Sequence, residues 1–164
     1  MNEIIKGKCW IFKDDINTDQ IISTRYMLLN SKDEMSKYTF ESLYENFHAI
    51  FNKGDIIIAG KNFGCGSARE QAPEVLKVLG TGAIIAKSFS PTFYRNSINI
   101  GLPVFICENM DDNFSNGDTV TIKIKENTFL TNTNQKYFLK EMPQIIKEII
   151  NCSGLAEYYK KYCI

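Results

Sequence analysis

Residues 55–73 read DIIIAGKNFGCGSAREQAP, and the organisation of the whole chain follows from them. The run 55–60 is almost continuously apolar and β-branched, which predicts a strand buried on both faces. The residues after the loop predict a helix, so the loop leaves the carboxyl end of a central strand. Open α/β sheets bind their ligands at that end of the strands. We therefore expect the chemistry of this protein to lie between residues 61 and 73.

The composition of this loop favours an anion. Gly64 and Gly66 allow backbone angles that a side chain forbids, and they let several N–H groups converge on one point. If Ser67 opens the following helix, the amides of its first turn and the positive end of its dipole point at the same place. Arg69 adds a planar fork that suits a carboxylate. The simplest ligand is a substrate that carries a carboxylate.

A structural alternative exists for the same residues. The pattern from Ser67 to Glu70 fits a capping box, in which the serine accepts from a backbone amide and the glutamate returns the bond. Pro73 conflicts with a helix that starts at Ala68, because it would fall at the sixth position and remove a hydrogen bond. The helix would then start at Pro73, after a short turn. The residues alone leave both starts open.

The motif NFGCGSAREQAP resembles the signature of the swivelling domain of the aconitase superfamily. The resemblance continues in DINTDQII at 15–22, AIIAKSF at 83–89 and NIGLP at 99–103. A free-standing chain of 164 residues with this signature is similar to the small subunits of hydro-lyases of the 3-isopropylmalate dehydratase (LeuD) and homoaconitase type. The implied fold is an α/β, aconitase-type swivelling β/β/α domain over residues 1–164. It would have a parallel α/β core and an additional β-rich layer.

The resemblance also implies a mechanism shared between two chains. An aconitase-like large subunit (LeuC type) would carry a 4Fe-4S cluster as Lewis acid, and this chain, without a metal or cofactor of its own, would supply the base. Ser67 matches the serine that removes the proton next to a carboxylate. Arg69 matches an arginine that holds a substrate carboxylate, with Ala68 beside the substrate. The anion-binding loop would consist of Gly64, Cys65 and Gly66, in which the cysteine is not a cluster ligand.

A second segment concerns substrate choice. In the family the corresponding loop faces the variable side group of the substrate. Homoaconitase-like members have a segment similar to Tyr-Leu-Arg-Thr at this place. Leu28 takes the place of that arginine, so Tyr26, Met27 and Leu28 would form an apolar wall that favours an alkyl group over a third carboxylate. The resemblance thus implies interconversion of 2- and 3-isopropylmalate by dehydration and rehydration in leucine biosynthesis. The exact alkylmalate and the role of Arg25 are left open.

Two other functions fit the same residues. The chain could serve a related hydro-lyase that acts on methylmalate or citraconate, on dimethylmalate, or on homocitrate. Alternatively, the glycine loop could hold a small carboxylate without turning it over, as a binding module. A turnover assay with an aconitase-like partner separates an enzyme subunit from a binding module.

Composition restricts the classes of partner. Nineteen basic and nineteen acidic residues give a formal charge of zero, which disfavours nucleic acid and anionic membranes. The first residues do not resemble a leader and no apolar run is long enough for a membrane span, so we expect a cytoplasmic protein. Five scattered cysteines predict free thiols rather than a disulfide framework or a metal site.

The remaining patterns predict further elements. Apolar residues at helical spacing predict a helix over 36–47, with His48 in a structural role at its end. Strands are expected at 8–13, 83–86 and 102–107, joined by crossovers that favour parallel pairing. The alternating run 118–125 predicts a half-exposed strand in a hairpin with 128–130. Two helices, around 145–150 and over 155–162, close the chain, and 14–19 is expected to be a turn rather than a calcium loop.

Overall fold

The computed structural model describes residues 4–162, and these contain one mixed sheet of seven strands in the order β4-β3-β2-β1-β5-β6-β7. The strands are β1 (Ile4–Phe12), β2 (Ile56–Ala59), β3 (Ala83–Ala86), β4 (Val104–Ile106), β5 (Thr119–Lys123), β6 (Thr128–Thr131) and β7 (Lys136–Phe138). The helices are α1 (Thr18–Ile21), α2 (Lys32–Ser36), α3 (Phe47–Ile50), α4 (Gln71–Leu79), α5 (Pro91–Asn99), α6 (Gln144–Asn151) and α7 (Leu155–Tyr162). Residues 1–3, on which part of the expectation about a leader depends, and residues 163–164, which include Cys163, lie outside the described range.

The parallel half of the sheet agrees with the prediction from residues 55–73. β2 lies between β1 and β3 and is parallel to both, while β4 continues the parallel set beyond β3. All four residues of β2 are buried, as are all four of β3. The loop after Ala59 therefore leaves the carboxyl end of a central strand, as expected.

The antiparallel half is attached through β1. β5 pairs with β1 and with β6 in antiparallel register, which confirms the hairpin. β7, which we did not predict, adds a further antiparallel strand at the edge. Its central residue, Tyr137, stacks on Phe129 with ring centroids 4.9 Å apart. The three-residue strand is too short to produce a recognisable alternation, so packing rather than sequence pattern defines it.

The prediction of a helix over 36–47 is wrong. α2 ends at Ser36 and α3 begins at Phe47, with turns in between. Phe40 has a left-handed backbone (φ 55°), which a continuous helix does not permit, and its amide donates to the carbonyl of Ile21 at 3.0 Å. Phe40 is fully buried, and its ring lies 4.2 Å from that of Phe12. The aromatic residues thus pack on β1 from successive turns rather than from one helical face.

The carboxyl-terminal helices form as expected. The residue after α5 and its neighbour, Gly101, pack closely on the loop between α6 and α7. A Cβ on Gly101 would lie 2.4 Å from the backbone carbon of Ser153, so only glycine fits there. Within residues 4–162, none of the helices combines the length and the apolar character that a bilayer crossing requires.

Candidate functional site

The loop after β2 is fixed on both sides by neighbouring loops. The amide of Gly64 donates to the carbonyl of Ile16 at 2.7 Å, and the amide of Thr18 donates to that of Cys65 at 2.9 Å. On the other side, Phe63 pairs with Phe89 after β3 in a parallel bridge. The carboxyl ends of β1, β2 and β3 therefore continue as loops that support one another.

The two glycines of the loop have different reasons to be glycine. Both have left-handed backbone angles, φ 78° at Gly64 and φ 85° at Gly66. A Cβ on Gly64 would also lie 2.2 Å from the ring of Phe93, whereas one on Gly66 would sit 3.5 Å from Asn17. Gly64 is therefore required by both space and conformation, and Gly66 by conformation.

The helix that follows begins at neither predicted position. α4 starts at Gln71, with Glu70 as N-cap residue and no side-chain hydrogen bond to the cap. Pro73 is the third helical residue, where an amide would have no intrahelical partner, so the proline costs no hydrogen bond. Ser67 lies four positions before the helix, so the capping-box interpretation is wrong. The expectation that Ser67 opens the helix is wrong for the same reason.

Ser67 instead stands in an exposed bend. Gly66, Ser67 and Ala68 are all exposed, and their amides donate no hydrogen bond to any other residue of the described range. The backbone carbonyl of Ser67 accepts from the hydroxyl of Thr18 at 2.9 Å, which holds the bend in place. Burial, with a smaller effect of Asp15, raises the pKa of the half-buried Cys65 thiol, which favours its neutral form. The bend thus offers a free hydroxyl and free amides.

Arg69 is held by the segment that follows β1. One terminal nitrogen, Nη1, donates to Asp19 Oδ1 at 2.7 Å and to the carbonyl of Ile22 at 3.1 Å. The other, Nη2, donates to Thr24 Oγ1 at 2.9 Å. Since a guanidinium has five N–H donors, the Nε edge is left for a ligand. The arginine is four-fifths buried and already oriented by these three partners.

Sequence reasoning did not identify Asp19 and Thr24 as site residues. Asp19 is the last residue of the segment 14–19, which the sequence predicts to be a turn. A capping box does form there, between Asn17 and Gln20, and it fixes the first turn of α1 that carries Asp19. The hydrogen bond from Arg69, followed by that from Thr24, holds the pKa of the Asp19 carboxyl below its usual range. The opposite charges of Asp19, in the motif 15–22, and Arg69, in the motif after β2, are a signal in the sequence that could have suggested this contact.

The proposed substrate loop begins beside Arg69 and then turns outward. Residues Thr24–Tyr26 form one turn of 3₁₀ helix. Leu28 is 92% exposed, while Met27 is half-buried. Tyr26 does not lie with them in one wall, because its ring stacks on Tyr38 at a centroid distance of 3.9 Å. Two of the three predicted wall residues are thus available to a ligand, and Tyr26 is occupied within the protein.

Two cavities adjoin the carboxyl edge of the sheet. One, of about 340 Å³, is lined by polar residues that include Asp19, Arg25 and Glu41. The other, of about 440 Å³, lies at the ends of β1 and β2 and is lined by Lys87 and the loop 110–114. Neither of these two cavities is lined by residues 64–69, and Ser67 itself is exposed.

The residues at this edge of the sheet do not match the donor set of a metal site. Over the described range, no three His, Cys, Asp or Glu side chains are grouped so that they could share a metal ion. The donor set expected for an iron–sulfur cluster, three or more thiolates, is not gathered at the bend, where Cys65 is the thiol present.

Comparison with known proteins identifies the family. The family model described as aconitase C-terminal domain matches residues 13–109. The 3-isopropylmalate dehydratase small subunit 1 of Methanopyrus kandleri is 39% identical over 98% of this chain and 95% of its own. The 3-isopropylmalate dehydratase small subunit of Lachnospira eligens is 42% identical over 98% and 97%.

A solved structure agrees with these relatives. The crystal structure of 3-isopropylmalate dehydratase (LeuD) from Methanocaldococcus jannaschii superposes with a TM-score of 0.90 at 39% identity, over 96% of this chain and 94% of that one. The predicted fold class is thereby confirmed. The chain belongs to the aconitase C-terminal domain family and, within it, to the 3-isopropylmalate dehydratase small subunits.

Proposed function

We propose that this chain is the small subunit of a hydro-lyase that interconverts 2- and 3-isopropylmalate in leucine biosynthesis, and that Ser67 is its catalytic base. The observation that carries the proposal is the exposed hydroxyl of Ser67 among free amides, two residues from an arginine already oriented by Asp19. A carboxylate-bearing substrate matches both features, because the amides and the guanidinium favour negative charge.

Ser67 removes the proton from the carbon next to a substrate carboxylate. The electron pair of that C–H bond becomes the second bond between the two carbons, and the hydroxyl on the neighbouring carbon leaves with its own bonding pair. Water then adds back in the opposite sense. The hydroxyl goes to the carbon that lost its proton, and a proton goes to the carbon that lost its hydroxyl, which gives the isomer. An alkoxide is rare in water at neutral pH, so the amides of residues 66–68 must stabilise it once the substrate excludes solvent.

Arg69 binds and orients one substrate carboxylate. Its Nη atoms are occupied by Asp19, Thr24 and the carbonyl of Ile22, which leaves the Nε edge to meet the ligand. Because these contacts fix the guanidinium before the ligand arrives, little side-chain entropy is lost on binding. Ala68, exposed between the base and the arginine, has no side chain that would obstruct the substrate.

The remaining chemistry belongs to a partner. Departure of the hydroxyl requires a Lewis acid, which we assign to a 4Fe-4S cluster on an aconitase-like large subunit of LeuC type. This chain then acts as one half of a heterodimer, facing the partner with the carboxyl edge of its sheet. Nucleic acid and membranes are not proposed partners.

Met27 and Leu28 contact the alkyl group of the substrate. Burial of an alkyl group against Leu28 contributes about 0.8 kcal/mol per methylene, whereas a third carboxylate would lose its water there without gaining a partner. Isopropylmalate is therefore preferred to homocitrate. Methylmalates and dimethylmalate are smaller alkyl substrates that the same wall accepts less well.

The proposal includes a cytoplasmic location and a single domain over residues 1–164. The free thiols of Cys9, Cys65, Cys107 and Cys152 suit a reducing compartment. Relatives that match almost the whole chain support treating it as one unit.

Reconstitution tests the proposed function. The purified chain alone should not convert isopropylmalate, and addition of the large subunit with an intact cluster should restore interconversion of the two isomers. A reconstituted pair that binds isopropylmalate without turnover would favour the carboxylate-binding module. Preference for a methylmalate, dimethylmalate or homocitrate would favour a related hydro-lyase.

A further inference from the structure

One carboxylate outside the substrate loop holds two residues of that loop. The guanidinium of Arg25 and the hydroxyl of Tyr26 both donate to Oε2 of Glu41, the hydroxyl at 2.6 Å. Arg25 also lies over the ring of Tyr26, 4.7 Å from its centroid. The ring of Tyr26 also stacks on that of Tyr38, with the two planes only 10° apart. Four side chains therefore form one connected cluster.

The support of this cluster is a hydrogen-bonded turn that is anchored in the core. Glu41 directly follows Phe40, which is fully buried and hydrogen-bonded through its amide to the carbonyl of Ile21. The amide of Glu41 donates to the carbonyl of Tyr38 at 3.3 Å, which closes the turn between the two supporting residues. A carboxylate on such a turn fixes whatever binds to it more firmly than one on a mobile loop does.

The charge of the substrate loop makes this contact significant. Between Ile22 and Asn30, Arg25 is the only residue with a charged side chain. A free guanidinium three residues before Leu28 could reach toward a substrate and bind an additional carboxylate. The hydrogen bond from Tyr26, followed by that from Arg25, holds the pKa of Glu41 below its usual range, so the acceptor stays charged at neutral pH.

We propose that Glu41 is a positioning residue that holds Arg25 and Tyr26 against Tyr38, and so prevents Arg25 from accepting a third substrate carboxylate. The inference rests on the proposed function and extends it: selection against tricarboxylates depends on Glu41 as well as on Leu28. Because the Arg25–Glu41 pair is exposed, its loss should have little effect on global stability.

The first test uses the isolated chain and needs no turnover. Trypsin cleaves after arginine only when the surrounding backbone is free to move, so release of the cluster should expose the bond between Arg25 and Tyr26. We expect Glu41→Gln to be cut there roughly fivefold faster than the unchanged chain, as expected for loss of an ion pair. Glu108→Gln, which removes another exposed ion pair, with Lys140, is the matched control and should leave this rate unchanged.

The second test uses the reconstituted enzyme. Homocitrate is added as a competitive inhibitor of isopropylmalate turnover, and its inhibition constant is compared with the KM of isopropylmalate. Glu41→Gln should strengthen inhibition by roughly tenfold, since the freed guanidinium can pair with the extra carboxylate. The double variant Glu41→Gln with Arg25→Gln should return to weak inhibition. Both variants should keep the kcat of the unchanged enzyme within about twofold, since neither residue touches the reacting atoms.

The two tests fail in distinguishable ways. If Glu41→Gln is cut at Arg25 no faster than the unchanged chain, the cluster does not hold the loop, and the inference is overturned whatever the kinetics. If cleavage accelerates but inhibition by homocitrate is unchanged, the specificity role of Glu41 is overturned. A reconstituted pair that does not turn over isopropylmalate contradicts the proposed function and the specificity role that rests on it, while proteolysis still decides whether the cluster holds the loop.

Discussion

Asp19 Oδ1 accepts from Arg69 Nη1 at 2.7 Å across 50 residues of sequence. The same oxygen accepts from the amide of Thr24 at 3.2 Å and from its hydroxyl at 3.0 Å. One carboxylate therefore joins the loop that carries Ser67 to the first residues of the substrate loop. A change at Asp19 should affect the orientation of Arg69 before it affects the fold.

We expect Asp19→Asn to raise the KM of isopropylmalate by roughly tenfold and to lower kcat less, because the amide keeps the shape but loses the charge that orients Arg69. The free energy of unfolding should change by no more than about 1 kcal/mol, since the Asp19 side chain is more than half exposed. Asp33→Asn, on the exposed first turn of α2, is the control. An unchanged KM in Asp19→Asn would show that Arg69 needs no support from this residue.

Leu28→Arg should reverse the substrate preference of the reconstituted enzyme. The new guanidinium would meet a third carboxylate and would no longer bury the alkyl group of isopropylmalate. We expect kcat/KM for isopropylmalate to fall at least about tenfold and that for homocitrate to rise, with methylmalates as a further comparison. If the order of the substrates is unchanged, Leu28 does not contact the variable group.

Alanine at three glycines separates conformational cost from steric clash. Gly117 has φ 92° with no atom within 4 Å of an added Cβ, so Gly117→Ala should lose about 1 kcal/mol of stability from backbone strain alone. Gly66→Ala should lose a similar amount. Gly64→Ala should lose at least about 2 kcal/mol more, because its Cβ would overlap the ring of Phe93. Urea unfolding of the three variants gives the order, and equal losses would contradict the steric account of Gly64.

The sequence was most informative where one pattern had one structural solution. The apolar run 55–60 and the run 83–86 became the fully buried strands β2 and β3. Gly80, with φ 93°, ends α4 in the left-handed conformation that glycine favours at this position. The hairpin of β5 and β6 followed from the alternating run 118–125 and a turn that leads back through 128–130. In each case local pattern and tertiary environment favour the same structure.

The sequence was least informative where tertiary contacts decide the local backbone conformation. The spacing of Phe40, Tyr44 and Phe47 satisfies a helix, but the left-handed backbone at Phe40 lets the same rings pack on β1 from separate turns. The Ser67–Glu70 pattern satisfies a capping box, but the neighbouring loops hold the bend open. The Asp19–Arg69 contact joins residues far apart in the chain, which no periodicity records.

Stability should fall at high pH because of Cys9. This thiol is fully buried, and burial, with a smaller effect of Asp118, raises its pKa from 9.0 to about 11. The folded state therefore keeps a proton that the unfolded state loses. The resulting contribution is complete below pH 9 and is lost as the pH rises through about 11, which amounts to about 3 kcal/mol in all.

Cys9→Ala isolates this contribution. Urea unfolding at pH 8 and at pH 10.5 should show that the unchanged chain loses about 2 kcal/mol more than the variant between the two values. Other titrating groups, including Tyr137, are common to both proteins and cancel in the comparison. Parallel losses in the two proteins would show that Cys9 does not contribute to the pH dependence.

Ser67 and Ser31 provide a matched pair of serines for testing whether Ser67 is the catalytic base. The hydroxyl of Ser31 caps α2 by accepting from the amide of Glu34 at 3.1 Å, whereas Ser67 caps no helix. Ser31→Ala should therefore lose about 1 kcal/mol of stability and keep its activity. Ser67→Ala should keep its stability and its assembly with the large subunit.

The kcat of the reconstituted Ser67→Ala enzyme with isopropylmalate tests the catalytic base most directly. We predict a loss of at least about a thousandfold with a KM within a few-fold of the unchanged enzyme, because the hydroxyl acts chiefly in the transition state. Retention of more than about a tenth of the kcat by the folded, assembled variant would contradict the assignment of Ser67 as the base.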